Sequence, residues 1–417
     1  MSQTEDRDFA LGKVKESHKK GFLPMLVLML GFTFFSASMW TGGELGTKVT
    51  ASEFIIAVLF GNLILGIYTA SLAYISADTG LSTHLLAKYS FGKVGAHLPS
   101  ILLSVTQVGW FGVGVAMFAL PLQKVTGWDL QTIIIVSGLV MTLTALFGIK
   151  SLTILSFIAV PSIAVLGCYS VGKSLFDFGG TDALFNIQPT ETIPMYTAIS
   201  MCVATFISGG TLTPDFTRFS KNKKTAVSTT LIAFFLGNSL MFIFGAVGAA
   251  FYKESDISNV LMQQGMIVIA MIVLGLNIWT TNDNALYASG LGISNITQLP
   301  KKIVVLINGV LGTLLALWLY NNFVGWLSFL NTMLPSIGGV IIADYFLVKK
   351  GVYCDYTSNT FQKIRWTAIV AWVMGVLAAQ YLPGIPPLNG VISAIVSYWI
   401  FEKVQLSIQS KKQLETN

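Results

Sequence analysis

The chain has 417 residues, of which 53% are hydrophobic and only 11% are charged. Such a low charged share, less than half of what soluble domains carry, excludes a soluble enzyme or binding module in favour of an integral membrane protein. The net charge of +6 comes from basic loops between apolar runs and gives no reason to expect a nucleic-acid partner.

Residues 1–20 are polar and charged. The apolar run behind them is not followed by a small-residue cleavage site, so no removed signal peptide is expected. Reading apolar runs of about 18 residues or more as spans gives twelve, centred near residues 31, 65, 108, 140, 163, 203, 239, 274, 311, 336, 373 and 394. Basic residues alternate with these spans. On the side of the N-terminus lie 21 of the 25 Lys and Arg, and only Lys48, Lys124, Lys173 and Lys253 fall opposite. Positive charge marks the cytoplasmic side. A multi-pass protein of the cell inner (cytoplasmic) membrane with both termini in the cytoplasm is therefore expected.

Other chemistries lack their residues. Cys168, Cys202 and Cys354 have no paired or metal-binding spacing, and the first two read as packing residues inside spans. None of His18, His84 and His97 sits at a span centre, which leaves no histidine proton relay. There is no Walker-type phosphate loop and no nucleophile elbow, so neither an ATP-driven pump nor a membrane hydrolase is expected. The protein is not expected to be an enzyme.

Span one carries the phrase TFFSAS at 33–38, and span six carries TFISGG at 205–210. Small and hydroxylated residues in the middle of an apolar run have two readings. They let helices pack closely, or they mark a helix broken at a transporter's binding site. Recurrence in corresponding places favours the second. The offset of 172 positions covers about five spans, and an odd number inserts the second copy upside down. The expected fold is all-α, with twelve transmembrane helices in a five-plus-five inverted repeat and two appended helices. The expected divisions are a tail at 1–20, the first repeat at 21–177, the second at 192–349, spans eleven and twelve at 364–404 and a tail at 405–417. Breaking a helix frees N–H and C=O groups that lipid cannot satisfy, so they must face a cavity and act as ligands there. The carbonyls suit a cation, and the amides suit a polar substrate.

Two more polar clusters fall at the same depth. In span three, Gln107 and Trp110 lie at i and i+3 on one helical face. In span eight, Asn277, Thr280, Thr281, Asn282, Asp283 and Asn284 give six polar side chains in eight residues, too costly for helix packing alone. Gln107 by itself reads equally as an interhelical hydrogen bond or a ligand. Asp283 is the only acid well inside a span, since Asp78, Asp215 and Asp344 fall near cytoplasmic ends. It is either a functional carboxylate or part of a structural ion pair near Lys301 and Lys302.

Five strings carry a family resemblance: FFSASMWTGG at 34–43, TQVGWFGVG at 106–114, LNIWTTNDNALY at 276–287, NNFVGWL at 321–327 and GGVIIADY at 338–345. They resemble the bacterial cytosine permeases of the first nucleobase:cation symporter family. The resemblance implies the fold of sodium-coupled amino-acid transporters. It also implies a sodium site where span one breaks against span eight, built from backbone oxygens of Gly31, Phe34 and Asn277 and side-chain oxygens of Thr280 and Thr281. Five neutral oxygens suit an exchangeable monovalent ion better than a divalent one. The implied base site lies between spans one, three, six and eight. Trp110 and Phe206 would be the plates above and below the ring, each stack being worth ~1–3 kcal/mol. Gln107 would read its edge with donor and acceptor, while Phe35, Thr205, Ser208, Asn282 and the freed backbone around 206–210 complete the wall.

The expected function is alternating-access import of cytosine with sodium, by a protein working as a monomer in the bilayer. Three rivals stand beside it: a related purine, hydantoin or allantoin permease, proton coupling through Asp283, and a channel. A channel would line a continuous polar stripe along several helices, whereas the polar residues here cluster at mid-depth.

Overall fold

The computed structural model describes residues 8–189 and 191–416. Span one is two helices, Phe22–Thr33 and Ser36–Lys48, set at 50° across a short break. At the break Phe34 (φ −75°, ψ 80°) and Phe35 (φ −119°, ψ 126°) leave helical geometry. The second half carries Gly42 and Gly43 and lies directly on span seven. A Cβ on Gly42 would come 2.2 Å from the Phe242 carbonyl oxygen, so no larger residue fits this approach.

Span two, Ala51–Thr79, starts with a capping box in which Thr50 and Glu53 satisfy each other's exposed N–H groups. It ends at Gly80, whose φ of 74° needs glycine. A short helix, Thr83–Phe91, leads to span three, His97–Thr126. Spans four and five are Leu130–Ala145 and Ile149–Phe178. Span six is Met195–Thr211 followed by Thr213–Thr217, and span seven is Lys223–Tyr252. Span eight, Ile267–Thr297, runs unbroken. Span nine is Lys301–Leu314 and Ala316–Asn321, and span ten is Phe323–Met333, Pro335–Ala343 and a π-helical turn at Asp344–Val348. Spans eleven and twelve are Trp366–Tyr381 and Pro386–Thr416.

These are the twelve expected spans, but they are not twelve alike. Among the described residues six continuous helices are long and apolar enough to cross a membrane, and the bent pair of span one makes a seventh. The other five are short, interrupted or, like span eight, polar. Of these, spans six and eight are mostly enclosed by neighbouring helices, whereas spans four, nine and eleven each expose an apolar face. Large side chains such as Phe60, Ile67, Val165, Phe176 and Leu314 are exposed around the outside, while Asn62, Asn238, Asp283 and Arg218 are fully buried. Apolar residues thus face the bilayer, and polar residues pair inside.

The break in span six corrects the expectation from sequence. The helix continues through Thr205, Phe206, Ser208 and Gly210 and unwinds only at Leu212 (φ −91°, ψ 6°). The backbone around 206–210 is therefore spent on helix hydrogen bonds and is not freed for a ligand. Gly209 and Gly210 serve close packing instead: a Cβ on Gly210 would meet the Thr69 methyl at 3.0 Å.

The N-terminal segment is folded into the bundle rather than loose. Ala10 and Val14 are buried in the main apolar core. Val14 N–H donates to Gly80 O at 3.0 Å; across a single β-bridge between Lys20 and Ser220, Lys20 N–H donates to Phe219 O at 2.6 Å and Lys221 N–H to Lys20 O at 2.9 Å. The guanidinium of Arg218, fully buried at the end of span six, donates to the carbonyls of Asp8 (2.7 Å) and Phe9 (2.9 Å) and to the Tyr287 hydroxyl (3.2 Å). The Asp8 carboxylate pairs with Lys301 and accepts from the N–H of Ile149. One short segment thereby ties spans two, five, six, eight and nine at one face. On that face Asp78 pairs with Lys223, and Asp344 with Arg365.

Candidate functional site

A cavity lies at mid-depth between spans one, three, six and eight. Its wall includes Phe35, Gln107, Trp110, Thr205, Phe206, Ser208 and Asn282, together with Phe32, Gly209, Thr281, Asn284 and Ala285. All seven residues assigned to the base site from sequence therefore meet in one place, although they come from four spans. Gly114 explains how Asn282 fits. A Cβ there would collide with the Asn282 amide oxygen at 2.1 Å, so glycine leaves room for this Asn282 rotamer.

The aromatic residues of the wall stand edge to face. Phe35, on the unwound segment, lies 5.0 Å from Trp110 at 77° and 6.1 Å from Phe206 at 89°. Phe206 is held in turn by Phe32 at 5.0 Å and by Phe234 at 5.1 Å. On the side away from the N-terminus, Trp40 stacks on Phe323 (4.4 Å, 9°) and on Tyr320 (5.2 Å, 25°). Phe323 also touches Trp110 edge-on at 5.9 Å. The rings form one connected set from the cavity wall to this cover.

The polar groups divide into committed and uncommitted. Trp110 Nε1 donates to the Ser208 hydroxyl at 2.8 Å, which fixes the indole plane. The Thr205 hydroxyl donates to Met201 O at 2.9 Å and pairs with Thr41 at 2.8 Å, joining the two broken spans across the repeat. Asn282 Nδ2 contacts the Met141 sulfur at 3.2 Å. By contrast, Gln107 Nε2 and both amide atoms of Asn284 are buried with no hydrogen-bond partner among the described residues. Asn284 belongs to the polar run evident in the sequence but was not expected in the site. Its signal was positional: it lies three residues after Thr281, on the same helical face.

The proposed cation region sits where span one breaks. Asn277 of span eight reaches into the gap, its Nδ2 donating to Phe34 O and its Oδ1 accepting from the Ser36 hydroxyl. The side chain of Asn277, not only its carbonyl, is thus engaged. Thr281 Oγ1 donates to Asn277 O at 3.2 Å, which brings two of the five expected oxygens together. Thr280 departs from expectation in one respect only: its hydroxyl donates to Leu276 O at 2.9 Å and not to the Asn277 carbonyl, as helical threonines do four residues back. Its oxygen keeps lone pairs for a cation. Gly31 faces span five, where its Cβ position falls 2.0 Å from the Ser156 hydroxyl. Next to this region span seven makes a π-helical turn, Ala233–Asn238, whose Gly237 packs on Thr33. Asn238 accepts from Ser38 and donates to Asn62, both at 2.8 Å. Among the described residues no three His, Cys, Asp or Glu side chains cluster as metal ligands, so a cation in this region would meet neutral oxygens.

Asp283 does not line the cavity. It is fully buried and accepts from the Thr144 hydroxyl of span four at 2.9 Å, while Trp279 Nε1 donates to that same hydroxyl at 2.7 Å. Cys202 is buried, as a packing residue should be, whereas Cys168 is exposed on the outside of the bundle.

Residues 13–400 match the family of permeases for cytosine/purines, uracil, thiamine and allantoin. The chain belongs to this family. The permease is 55% identical over 401 residues to the cytosine permease of Escherichia coli (strain K12), covering 96% of each chain. It is 22% identical to the hydantoin permease of Microbacterium maritypicum, covering 89% of this chain and 85% of that one. Its fold matches a nucleobase-cation-symport-1 family transporter in a closed conformation with bromovinylhydantoin bound, with TM-score 0.82, 19% identity and 93% of each chain covered. It also matches a Na+-coupled sialic acid symporter in a substrate-bound outward-open state, with TM-score 0.72, 13% identity, and 97% and 93% of the two chains covered. The permease is an all-helical, multi-pass membrane transporter with the inverted-repeat fold, and not an enzyme.

Proposed function

We propose that the permease imports cytosine together with a sodium ion, by alternating access around the mid-depth cavity. One observation carries the reading: three buried amide atoms, Gln107 Nε2 and Asn284 Nδ2 and Oδ1, stand unpartnered among the described residues, in a cavity walled by Trp110, Phe206 and Phe35. Leaving a buried polar atom unpaired costs ~1–3 kcal/mol, a cost that a flat ligand with polar edges and apolar faces removes. A nucleobase has that form. Cytosine is favoured among bases because the relative sharing more than half of its residues is named for it.

The ion reading rests on the break in span one. Phe34 O, Asn277 O and the Thr281 hydroxyl gather there without a carboxylate, and neutral oxygens suit a monovalent ion bound weakly enough to leave again. Gly31 and Thr280 complete the proposed set. Thr280 donates its hydrogen to Leu276 O, and the lone pairs of its oxygen remain for the ion. Proton coupling through Asp283 is the second reading, favoured by one fact, its full burial in span eight. Against it, Asp283 faces Thr144 and not the cavity.

The basic asymmetry of the loops supports cytoplasmic termini. In intact cells, an impermeant thiol reagent should label Asp182→Cys and not Lys221→Cys. Substrate identity is tested on the purified permease by competing labelled cytosine with uracil, adenine, hydantoin and allantoin. Cytosine should displace itself at the lowest concentration, and tighter binding of any other of these would reassign the substrate.

A further inference from the structure

We propose that Asn284 is a specificity-determining residue of the permease, reading the edge of the base formed by ring N3 and the 4-amino group. The inference rests on the reading of the mid-depth cavity as a cytosine site.

Two asparagines of span eight line the cavity, and they differ in what holds them. Asn282 directs its Nδ2 at the Met141 sulfur, and its carboxamide oxygen is pressed into the notch left by Gly114. Asn284 is only 4% exposed, and neither its nitrogen nor its oxygen has a hydrogen-bond partner among the described residues. A buried asparagine with both amide atoms unmet is rare in a folded protein, because each such atom has lost water without replacement. Asn284 belongs to the wall of the same cavity as Gln107 and Trp110.

The pattern of donors and acceptors then assigns the edge. An asparagine side chain offers a donor and an acceptor side by side, and it pairs two-pronged with a neighbouring acceptor and donor on a base, as it does with adenine. Free cytosine presents two such pairs, the acceptor N3 beside the 4-amino donor and the 2-oxo acceptor beside the N1–H donor. Asn284 Nδ2–H would donate to N3, and Oδ1 would accept from the amine. Gln107 contributes a single unmet donor, Nε2; placed on the 2-oxo group it occupies the acceptor of the second pair, which leaves the N3 and amino edge for Asn284. The two amides come from spans three and eight, so both edges are read only when these spans flank the ring.

A ligand pair separates this role from bracing. Pyrimidin-2-one keeps the ring, N3 and the 2-oxo group and lacks the 4-amino group. Dissociation constants for cytosine and pyrimidin-2-one are measured on the purified full-length permease, on Asn284→Ala, on the near-isosteric Asn284→Leu and on Gln107→Ala. The expected result is a loss of about 10- to 100-fold for cytosine on both Asn284 variants, with a several-fold smaller loss for pyrimidin-2-one. Gln107→Ala should weaken both ligands by a similar factor. The ratio of the two ligands on one variant is unaffected by the fraction of protein that folds. Equal losses for both ligands on the Asn284 variants, or no loss of cytosine, would overturn the assignment while leaving the base site standing. A wild-type permease that binds cytosine no better than pyrimidin-2-one would overturn the assignment by a different route, since no residue would then be reading the amine. If wild type binds neither ligand, the base site itself falls, and this assignment falls with it.

Discussion

Asn277 donates from its side-chain amide to the main-chain oxygen of Phe34, so span eight closes the gap in span one. The proposed ion region and the base cavity share this seam, because Thr281 bonds Asn277 O and also lines the cavity. Thr281→Ala removes one proposed ion ligand and leaves the aromatic wall intact. The sodium concentration for half-maximal cytosine binding should rise by about tenfold, the effect of roughly 1.4 kcal/mol. Cytosine affinity at limiting sodium should fall by the same factor, because coupling between two ligands is reciprocal. An unchanged sodium dependence would remove Thr281 from the set.

Trp110 and Gln107 should differ in kind. Trp110→Ala removes a face that any flat base can use, and binding of cytosine, uracil and 5-methylcytosine should weaken by a similar factor, ~1–3 kcal/mol each. Trp110→Phe keeps a face but loses the bond to Ser208, and should cost less. Gln107→Ala should fall hardest on ligands with an acceptor facing Nε2; cytosine, uracil and 5-methylcytosine all carry the 2-oxo group, so the contrast comes from 4-aminopyrimidine, which lacks it and should be spared. Direct binding measurements with these four ligands decide whether the losses are uniform or selective.

Trp40 stacks on Phe323 and on Tyr320, and Phe323 touches Trp110 of the cavity wall, which places the stack to cover a bound base. Stacked aromatic pairs contribute about 0.5–1.5 kcal/mol beyond their buried area. Trp40→Ala should speed cytosine dissociation by about five- to tenfold, read by dilution or chase of labelled ligand. If association alone changes, this stack is not the cover.

At the opposite face, Arg218 holds the N-terminal segment by the carbonyls of Asp8 and Phe9. Arg218→Ala leaves those acceptors without their charged donor, and hydrogen bonds to charged groups are worth about 1.5–3 kcal/mol each. Thermal stability should fall, and protease should clip near residues 10–20 faster than in wild type. Val14→Asp, which buries a carboxylate in the core, should do the same from the other side. Protection of the segment in both variants would mean that the segment holds without either anchor.

The twelve spans and the meeting of spans one, three, six and eight were legible in the sequence, because polar side chains at mid-depth cost too much to be kept for packing alone. So was the break of span one, where Phe34 and Phe35 leave helical geometry. The break of span six was not, because Gly209 and Gly210 provide close packing within a continuous helix. The better marker was Pro214, in the first turn of the next helix. Proline has no N–H for the helix and clashes with the carbonyl four residues back. The resemblance singled out Asn282 and not Asn284, and what separates their side chains, Met141 and Gly114, lies on other spans. Arg218 read as one more basic loop residue, because the acceptors that bury it come from about two hundred positions earlier in the chain.

Cytosine–sodium symport is tested most directly with purified permease in proteoliposomes and labelled cytosine, under an inward sodium gradient at equal pH or an inward proton gradient without sodium. Sodium coupling predicts concentrative uptake with the sodium gradient alone, abolished when sodium is equal on both sides and impaired in Thr281→Ala. Concentrative uptake with the proton gradient alone, lost in Asp283→Asn, would contradict it.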